Sequence, residues 1–258
     1  MHRFYITTEV LKATTLRLTG ETAQQITRVL RMRVGDRVVL FDGQGYDYIV
    51  RLSEFGKDEI QCEVLGRDYG RCEPSHQVDL YLALLNKPDK LECALQKCTE
   101  LGASRFVPVT SERTVAGPPE QGRRERWERI IAEAAEQSGR TILPLLDDTI
   151  TLKQAIKQEA KRLDEAEGIG HLALMPALGA DLSLSDALSE LDENSTVSLF
   201  IGPEGGFSDD ELYEADRHGV QLVNLGPRTL RAETAAVAAL TIVMHELGEM
   251  GGSPNTAP

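Results

Sequence analysis

From Gln77 onward the chain alternates short, almost uninterrupted apolar runs with amphipathic helical stretches, and this rhythm constrains the fold more than any other feature. QVDLYLALL precedes helix KLECALQKCTELG, and RFVPV precedes a Pro/Gly-containing loop and helix RRERWERIIAEAAEQSG. Helix TLKQAIKQEAKRL then leads into HLALMPA, helix LSLSDALSEL, TVSLFIG, helix SDDELYEADRHG, VQLVNLG and helix ETAAVAALTIVMHELG. Runs that are apolar at nearly every position must be covered on both faces. Strands of that kind, separated by helices, predict an α/β domain built on a parallel sheet.

The first seventy residues follow a different rule. HRFYIT, TLRLT, DRVVLFDG, YDYIVRL and EIQCEVLG are short β segments punctuated by VGD, DGQG and FGKDE, and one helical stretch, ETAQQITRVLRM, interrupts them. They predict a small β-barrel carrying one helix, either an RNA-binding module or a purely structural one. The polar, Gly/Pro-containing GRDYGRCEPSH marks the boundary, which gives domains at 1–73 and 74–250 and a flexible tail at 251–258. The most hydrophobic stretch, AAVAALTIVM, is about half a membrane span, so no membrane association and a cytoplasmic location are expected. Cys62, Cys72, Cys93 and Cys98 show no C-x-x-C spacing, and Cys93 and Cys98 lie five apart with no nearby His, so no metal site and no disulfide framework are expected.

The net charge of −13 argues against a polyanionic partner until it is mapped along the chain. Lys+Arg and Asp+Glu number 11 and 11 over 1–73, 10 and 12 over 74–150, and 7 and 18 over 151–258, so the acidity belongs to the last third. Within the neutral first segment, RVLRMRVGDR sets Arg28, Arg31, Arg33 and Arg37 against Asp36 alone, which is a local basic patch.

Ligands of an open parallel sheet bind beyond the carboxyl ends of its strands. That directs attention to LMPA (174–177), IGPEGGFS (201–208) and LGPRTLRAET (225–234). Ser208 followed by Glu211 is a capping box, and Asp209 and Asp210 complement the helix dipole, so this N-terminus is already committed to carboxylates. No Lys follows Gly205-Gly206, which excludes a P-loop, and no strand leads into G-x-G-x-x-G. Such loops offer main-chain hydrogen bonds and close approach in an acid-rich setting. A neutral heterocycle joined to a cation, as in S-adenosylmethionine, fits them better than a triphosphate.

Four ordered motifs, KCTELGASRFVPVTSERTV, WERIIAEAAEQSGRTILP, IGPEGGFSDDE and LGPRTLRAETAAVAAL, closely resemble those of the RsmE family, which methylates N3 of a uridine in 16S rRNA. HRFYI and RVLRMRVGD also resemble that family's N-terminal region. The resemblance implies a SPOUT-type C-terminal domain with a trefoil knot, a PUA-like N-terminal barrel, a homodimer, S-adenosylmethionine as cofactor and 16S rRNA of the small ribosomal subunit as substrate. Carried over by position, it implies cofactor contacts from Gly202, Pro203, Glu204, Gly205 and Gly206, from Leu225, Gly226, Leu230 and Thr234, and from Leu174 and Pro176 as a third wall.

Arg231 is the candidate catalytic residue, donating to a uracil carbonyl as N3 loses its proton; an orienting salt bridge to Glu233 is the alternative. Glu204, Glu233 or water could take that proton. Arg28, Arg31 and Arg33, with Arg113, Arg123 and Arg124 of the loop and helix after RFVPV, are the cations available to RNA phosphates. Competing readings are a non-catalytic RNA-binding assembly factor and a SPOUT methyltransferase acting on another RNA.

Overall fold

The computed structural model describes residues 1–7, 15–70, 72–165, 170–189, 191 and 195–250; the tail expected at 251–258 lies outside them. The chain divides into two compact units, Met1–Glu73 with Ala132–Leu143, and Pro74–Ile131 with Pro144–Pro258.

The first unit holds β1 (Arg3–Tyr5), β2 (Thr15–Thr19), β3 (Arg37–Phe41), β4 (Tyr46–Phe55) and β5 (Glu59–Tyr69) in one five-stranded sheet of order β1-β3-β4-β5-β2. All pairings are antiparallel except β1 with β3. Alternation places Leu16, Leu18, Val38, Leu40, Val50, Leu52, Ile60 and Cys62 in one buried cluster with Phe4 and Ile26. The predicted helix over 21–32 is shorter. α1 (Gly20–Gln24) passes into a π turn over Gln25–Val29, and Arg31 then takes φ 52°, a left-handed conformation that ends the helix.

Residues 132–143 join this unit through Glu73. Its Oε1 accepts from the backbone N–H groups of Thr141 at 2.6 Å and Ile142 at 2.9 Å, and its Oε2 accepts from Arg140. Glycine is required at Gly70, where a Cβ would fall 1.8 Å from Thr141 Oγ1.

The second unit is built on a sheet whose pairings are all parallel, with β6 (Val78–Ala83), β7 (Arg105–Thr110), β8 (Leu145–Leu146), β9 (Ile150–Thr151), β10 (His171–Pro176), β11 (Thr196–Ile201) and β12 (Gln221–Val223). The order is β12-β10-β11-β6-β7-β8, with β9 also on β7. The strands are mostly apolar because each face is covered. Leu80, Leu82, Leu174, Val197 and Leu199 meet α2 (Pro88–Glu100), α5 (Leu184–Leu188) and α7 (Ala232–Glu246) on one side. On the other, Tyr81, Val107, Ala173, Met175 and Phe200 meet α4 (Leu152–Glu165) and α6 (Asp209–Arg217). Trp127 and Ile131 of α3 (Gln121–Ser138) belong to the first of these cores.

α5 is shorter than the predicted 182–191. Ser183 is its N-cap, accepting from the Asp186 N–H, and forms a β-bridge with Asn224, so the chain before it is held extended. The two-residue strands β8 and β9 are too short to leave a periodic signal.

Near the amino ends of these strands lies a buried polar network. Glu159 accepts from the Tyr81 hydroxyl at 2.6 Å and from Arg162 at 2.8 Å, and meets His171 Nε2 at 2.7 Å. Arg162 reaches on to Asp79 at 3.0 Å. Burial alone would raise the Glu159 pKa, but these donors outweigh it and hold the carboxyl down at about 2.

Candidate active site

β11, β10 and β12 are adjacent and parallel, so the loops that leave their carboxyl ends, 202–208, 177–183 and 224–231, emerge at one edge of the sheet. In the 202–208 loop, Gly202 lies where a Cβ would press on the Phe207 ring at 3.2 Å. Pro203 to Gly206 form a turn closed by the Gly206 N–H on the Pro203 carbonyl at 2.9 Å, with Gly206 at φ 68°. The expected capping box is present: Ser208 Oγ accepts from the Glu211 N–H, and Glu211 Oε2 accepts from the Ser208 N–H at 2.9 Å.

Asn224 joins the other two loops. Its Nδ2 donates to the carbonyls of Ala180 at 3.0 Å and Leu182 at 3.1 Å, while Oδ1 accepts from the Gly226 N–H at 3.1 Å. Its backbone adds two bonds, donating to Leu182 O and accepting from the Leu184 N–H. Gly226 has φ 93° with open space where a Cβ would stand, and Leu225 and Leu230 are half-buried on either side of the exposed Pro227-Arg228-Thr229. The chain then enters α7, whose N-cap is Arg231, with Thr234 exposed in the first turn.

Loops from the neighbouring strands brace this edge. After β6, the Asn86 N–H donates to Glu204 Oε1 at 3.1 Å. After β7, the Glu112 N–H donates to Glu211 Oε1 at 2.7 Å, and Arg113 Nη1 donates to the carbonyls of Gly205 at 2.9 Å and Phe207 at 3.1 Å. Glu233 pairs with Lys90 of α2 at 3.1 Å. Burial acts to raise the Glu233 pKa, yet its own backbone N–H, Lys90 and the field of Arg231 hold it below the usual carboxylate range. Glu233 thus forms its salt bridge with Lys90 and not with Arg231, and among the described residues Arg231 forms no ion pair.

The remaining expected residues fall into groups. Pro176 ends β10 at this edge, whereas the Leu174 side chain is fully buried in the core beneath it. Arg123 is exposed near the start of α3, but Arg124 donates to the carbonyls of Leu146 and Asp147 and to Asp148. In the first unit Arg28, Arg31 and Arg33 are exposed on the π turn and the segment after it. Sequence patterns pass over Asn224, Asn86 and Lys90, whose roles depend on partners far away in the chain.

Among the described residues the edge provides main-chain donors and acceptors, three left-handed glycines, Gly179, Gly206 and Gly226, and no lysine after the Gly205-Gly206 turn. That donor set fits a neutral, adenosyl-like group carrying a positive centre.

Residues 72–244 match the family described as RNA methyltransferase domain, and residues 18–65 that described as RNA methyltransferase PUA domain. Ribosomal RNA small subunit methyltransferase E of Bacillus subtilis is 30% identical over 95% of this chain and 97% of its own. The chain belongs to the ribosomal RNA small subunit methyltransferase E family. The family's Synechocystis member is 35% identical over 93% of this chain and 76% of its own. Among solved structures, the methyltransferase E of Neisseria gonorrhoeae bound to S-adenosyl methionine superposes with a TM-score of 0.82. It is 29% identical over 95% of this chain and 97% of that one. A Legionella pneumophila methyltransferase with bound SAM gives a TM-score of 0.80 at 28% identity, over 94% of this chain and 96% of that one.

Proposed function

We propose that this chain transfers a methyl group from S-adenosylmethionine to N3 of one uridine in the 16S rRNA of the small ribosomal subunit. The observation that carries the reading is the cross-tied loop cluster at the carboxyl edge of β11, β10 and β12, rich in main-chain groups and lacking a phosphate cradle. The names of its relatives, and the S-adenosyl methionine bound to the Neisseria protein, support it.

When bound, the cofactor supplies an electrophilic methyl on a positive sulfur. The protein's own work is to align the base and favour its anion. Uridine N3 is a poor nucleophile while protonated, since its lone pair is delocalised into two carbonyls. Arg231, at the end of the third loop and without an ion-pair partner among the described residues, donates to a uracil carbonyl oxygen as the proton leaves. Glu233, held ionised beside Lys90, is a weak base, and one Glu204 oxygen is occupied by the Asn86 N–H, so water takes the proton. Gly202, Pro203, Glu204, Gly205, Gly206, Leu225, Gly226, Leu230 and Thr234, with Leu174 and Pro176 behind them, form the cofactor pocket. Arg28, Arg31, Arg33 and Arg123 grip RNA phosphates.

The same reading includes a PUA-like domain over 1–73, a knotted methyltransferase domain over 74–250, and action in the cytoplasm. It also includes a homodimer. α7 is apolar around most of its circumference, and its half-exposed Ala235, Val237, Ala238 and Ile242 suit a second copy of the chain. No described helix is long and apolar enough to cross a membrane, and the described residues hold no cluster of three or more potential metal ligands.

The test is incubation with methyl-labelled S-adenosylmethionine and unmethylated small subunits, followed by digestion and mass spectrometry. A single 3-methyluridine in 16S rRNA is expected. A ribose methyl, or no transfer by a folded, cofactor-binding protein, overturns the assignment.

A further inference from the structure

We propose that Arg113 is a positioning residue for the cofactor loop, an inference that rests on the cofactor reading of residues 202–206. Sequence alone places Arg113 among the cations available to RNA. On this exposed residue the guanidinium instead donates through Nη1 to Gly205 O at 2.9 Å and Phe207 O at 3.1 Å. The side chain runs along Gly205, whose Cβ, if it had one, would sit 3.4 Å from Arg113 Cβ.

The two carbonyls belong to peptide units that are already held at their other ends. The peptide between Gly205 and Gly206 donates its N–H to Pro203 O at 2.9 Å. The peptide between Phe207 and Ser208 donates its N–H to Glu211 Oε2 at 2.9 Å. Arg113 fixes the carbonyl side of both, so neither plane can turn. This matters because Gly206, at φ 68°, lies between them, and glycine offers little resistance to rotation of its flanking peptides.

The base of the clamp is also fixed. The turn that presents Arg113 is closed by the Thr114 N–H on Ser111 O at 3.1 Å and by the Ser111 N–H on Thr114 Oγ1 at 2.9 Å. The adjoining Glu112 N–H is anchored to Glu211 at 2.7 Å. Arg113 therefore sets the shape of the main-chain wall against which the adenosyl group lies, and acts on catalysis through that wall.

Purified Arg113→Gln and Arg113→Lys variants test this in the methyl-transfer assay and by calorimetry with S-adenosylmethionine. Loss of two charge-assisted bonds in Arg113→Gln is expected to raise KM for S-adenosylmethionine roughly tenfold, leaving KM for small subunits unchanged. Lysine keeps the charge but ends about 1.3 Å, one C–N bond, short of the Nη1 position, so its effect is expected to fall between wild type and Gln. Should the Gln variant fail to fold, the Lys variant alone still decides through the same comparison of the two KM values. A raised KM for small subunits with an unchanged cofactor KM would make Arg113 an RNA contact and overturn the proposal. Wild type that binds cofactor alongside variants that bind it equally well would refute the clamp alone, whereas wild type that binds none would remove the cofactor reading and the clamp with it.

Discussion

Replacing Asn224 probes the cross-tie between the 177–183 and 224–231 loops with little disturbance elsewhere. In the native chain its amide makes three hydrogen bonds, to Ala180 O, Leu182 O and from the Gly226 N–H, at 3.0 to 3.1 Å. Each is worth about 1 kcal/mol net, so Asn224→Ala removes about 3 kcal/mol of local organisation. The backbone bonds of residue 224 with Leu182 and Leu184 survive, so the sheet edge stays paired. If the loss falls wholly on the cofactor-competent loop conformation, affinity drops by about two orders of magnitude. Asn224→Asp is the sharper perturbation. It keeps the acceptor for Gly226 but turns a carboxylate oxygen toward two carbonyls, and should bind cofactor no better than the Ala variant. The assay is calorimetric titration with S-adenosylmethionine, accompanied by urea unfolding to confirm an intact fold. An Asp variant that binds like wild type would show that the cross-tie does not shape the site.

Other outcomes follow from the same geometry. Arg231→Ala should retain cofactor binding and lose about two orders of magnitude in methyl-transfer kcat, as for removal of one donor to a developing oxyanion, measured under single-turnover conditions. Glu159→Ala removes the buried partner of His171 and one of the two carboxylates on Arg162, which keeps Asp79, and should cost about 3 kcal/mol in urea unfolding. Because the Glu159 carboxyl is depressed in the folded protein, its stabilisation is fully present above pH 4.5 and is lost as pH falls toward about 2, and the wild-type unfolding curve should weaken over that window by about 3 kcal/mol more than the variant's. Combined substitution of Arg28, Arg31 and Arg33 by Ala should weaken binding to small subunits and flatten its salt dependence by about two to three ion equivalents, read from a titration series in KCl.

Much of the parallel sheet was legible because its signal is local. Leu80 and Leu82 face one core and Tyr81 and Ala83 the other, so the LYLALL part of QVDLYLALL had to be apolar at every position. The capping box at Ser208 and Glu211 was equally plain, since both partners lie within one helical turn. The strand order was not, because nothing in TVSLFIG states that it inserts between β6 and β10. The grouping of 132–143 with the first unit rests on long-range bonds such as those of Glu73 with a segment 67 to 69 positions away, beyond any periodicity. At the site, the glycines and Pro203 could be read as turn-formers from their own chemistry. The partners of Arg113, Glu204, Asn224 and Glu233 could not, since each side chain meets a segment distant in sequence. A charged residue in a loop looks the same in sequence whether it meets solvent, RNA or a neighbouring carbonyl.

The most direct test is a crystal structure of the protein grown with S-adenosylmethionine. The ligand should lie at the carboxyl edge of β11, β10 and β12, hydrogen-bonded by main-chain groups of 202–206 and 225–230, with its methyl turned toward Arg231. Ligand bound elsewhere, or held there through side-chain cations with the three loops untouched, would contradict the account.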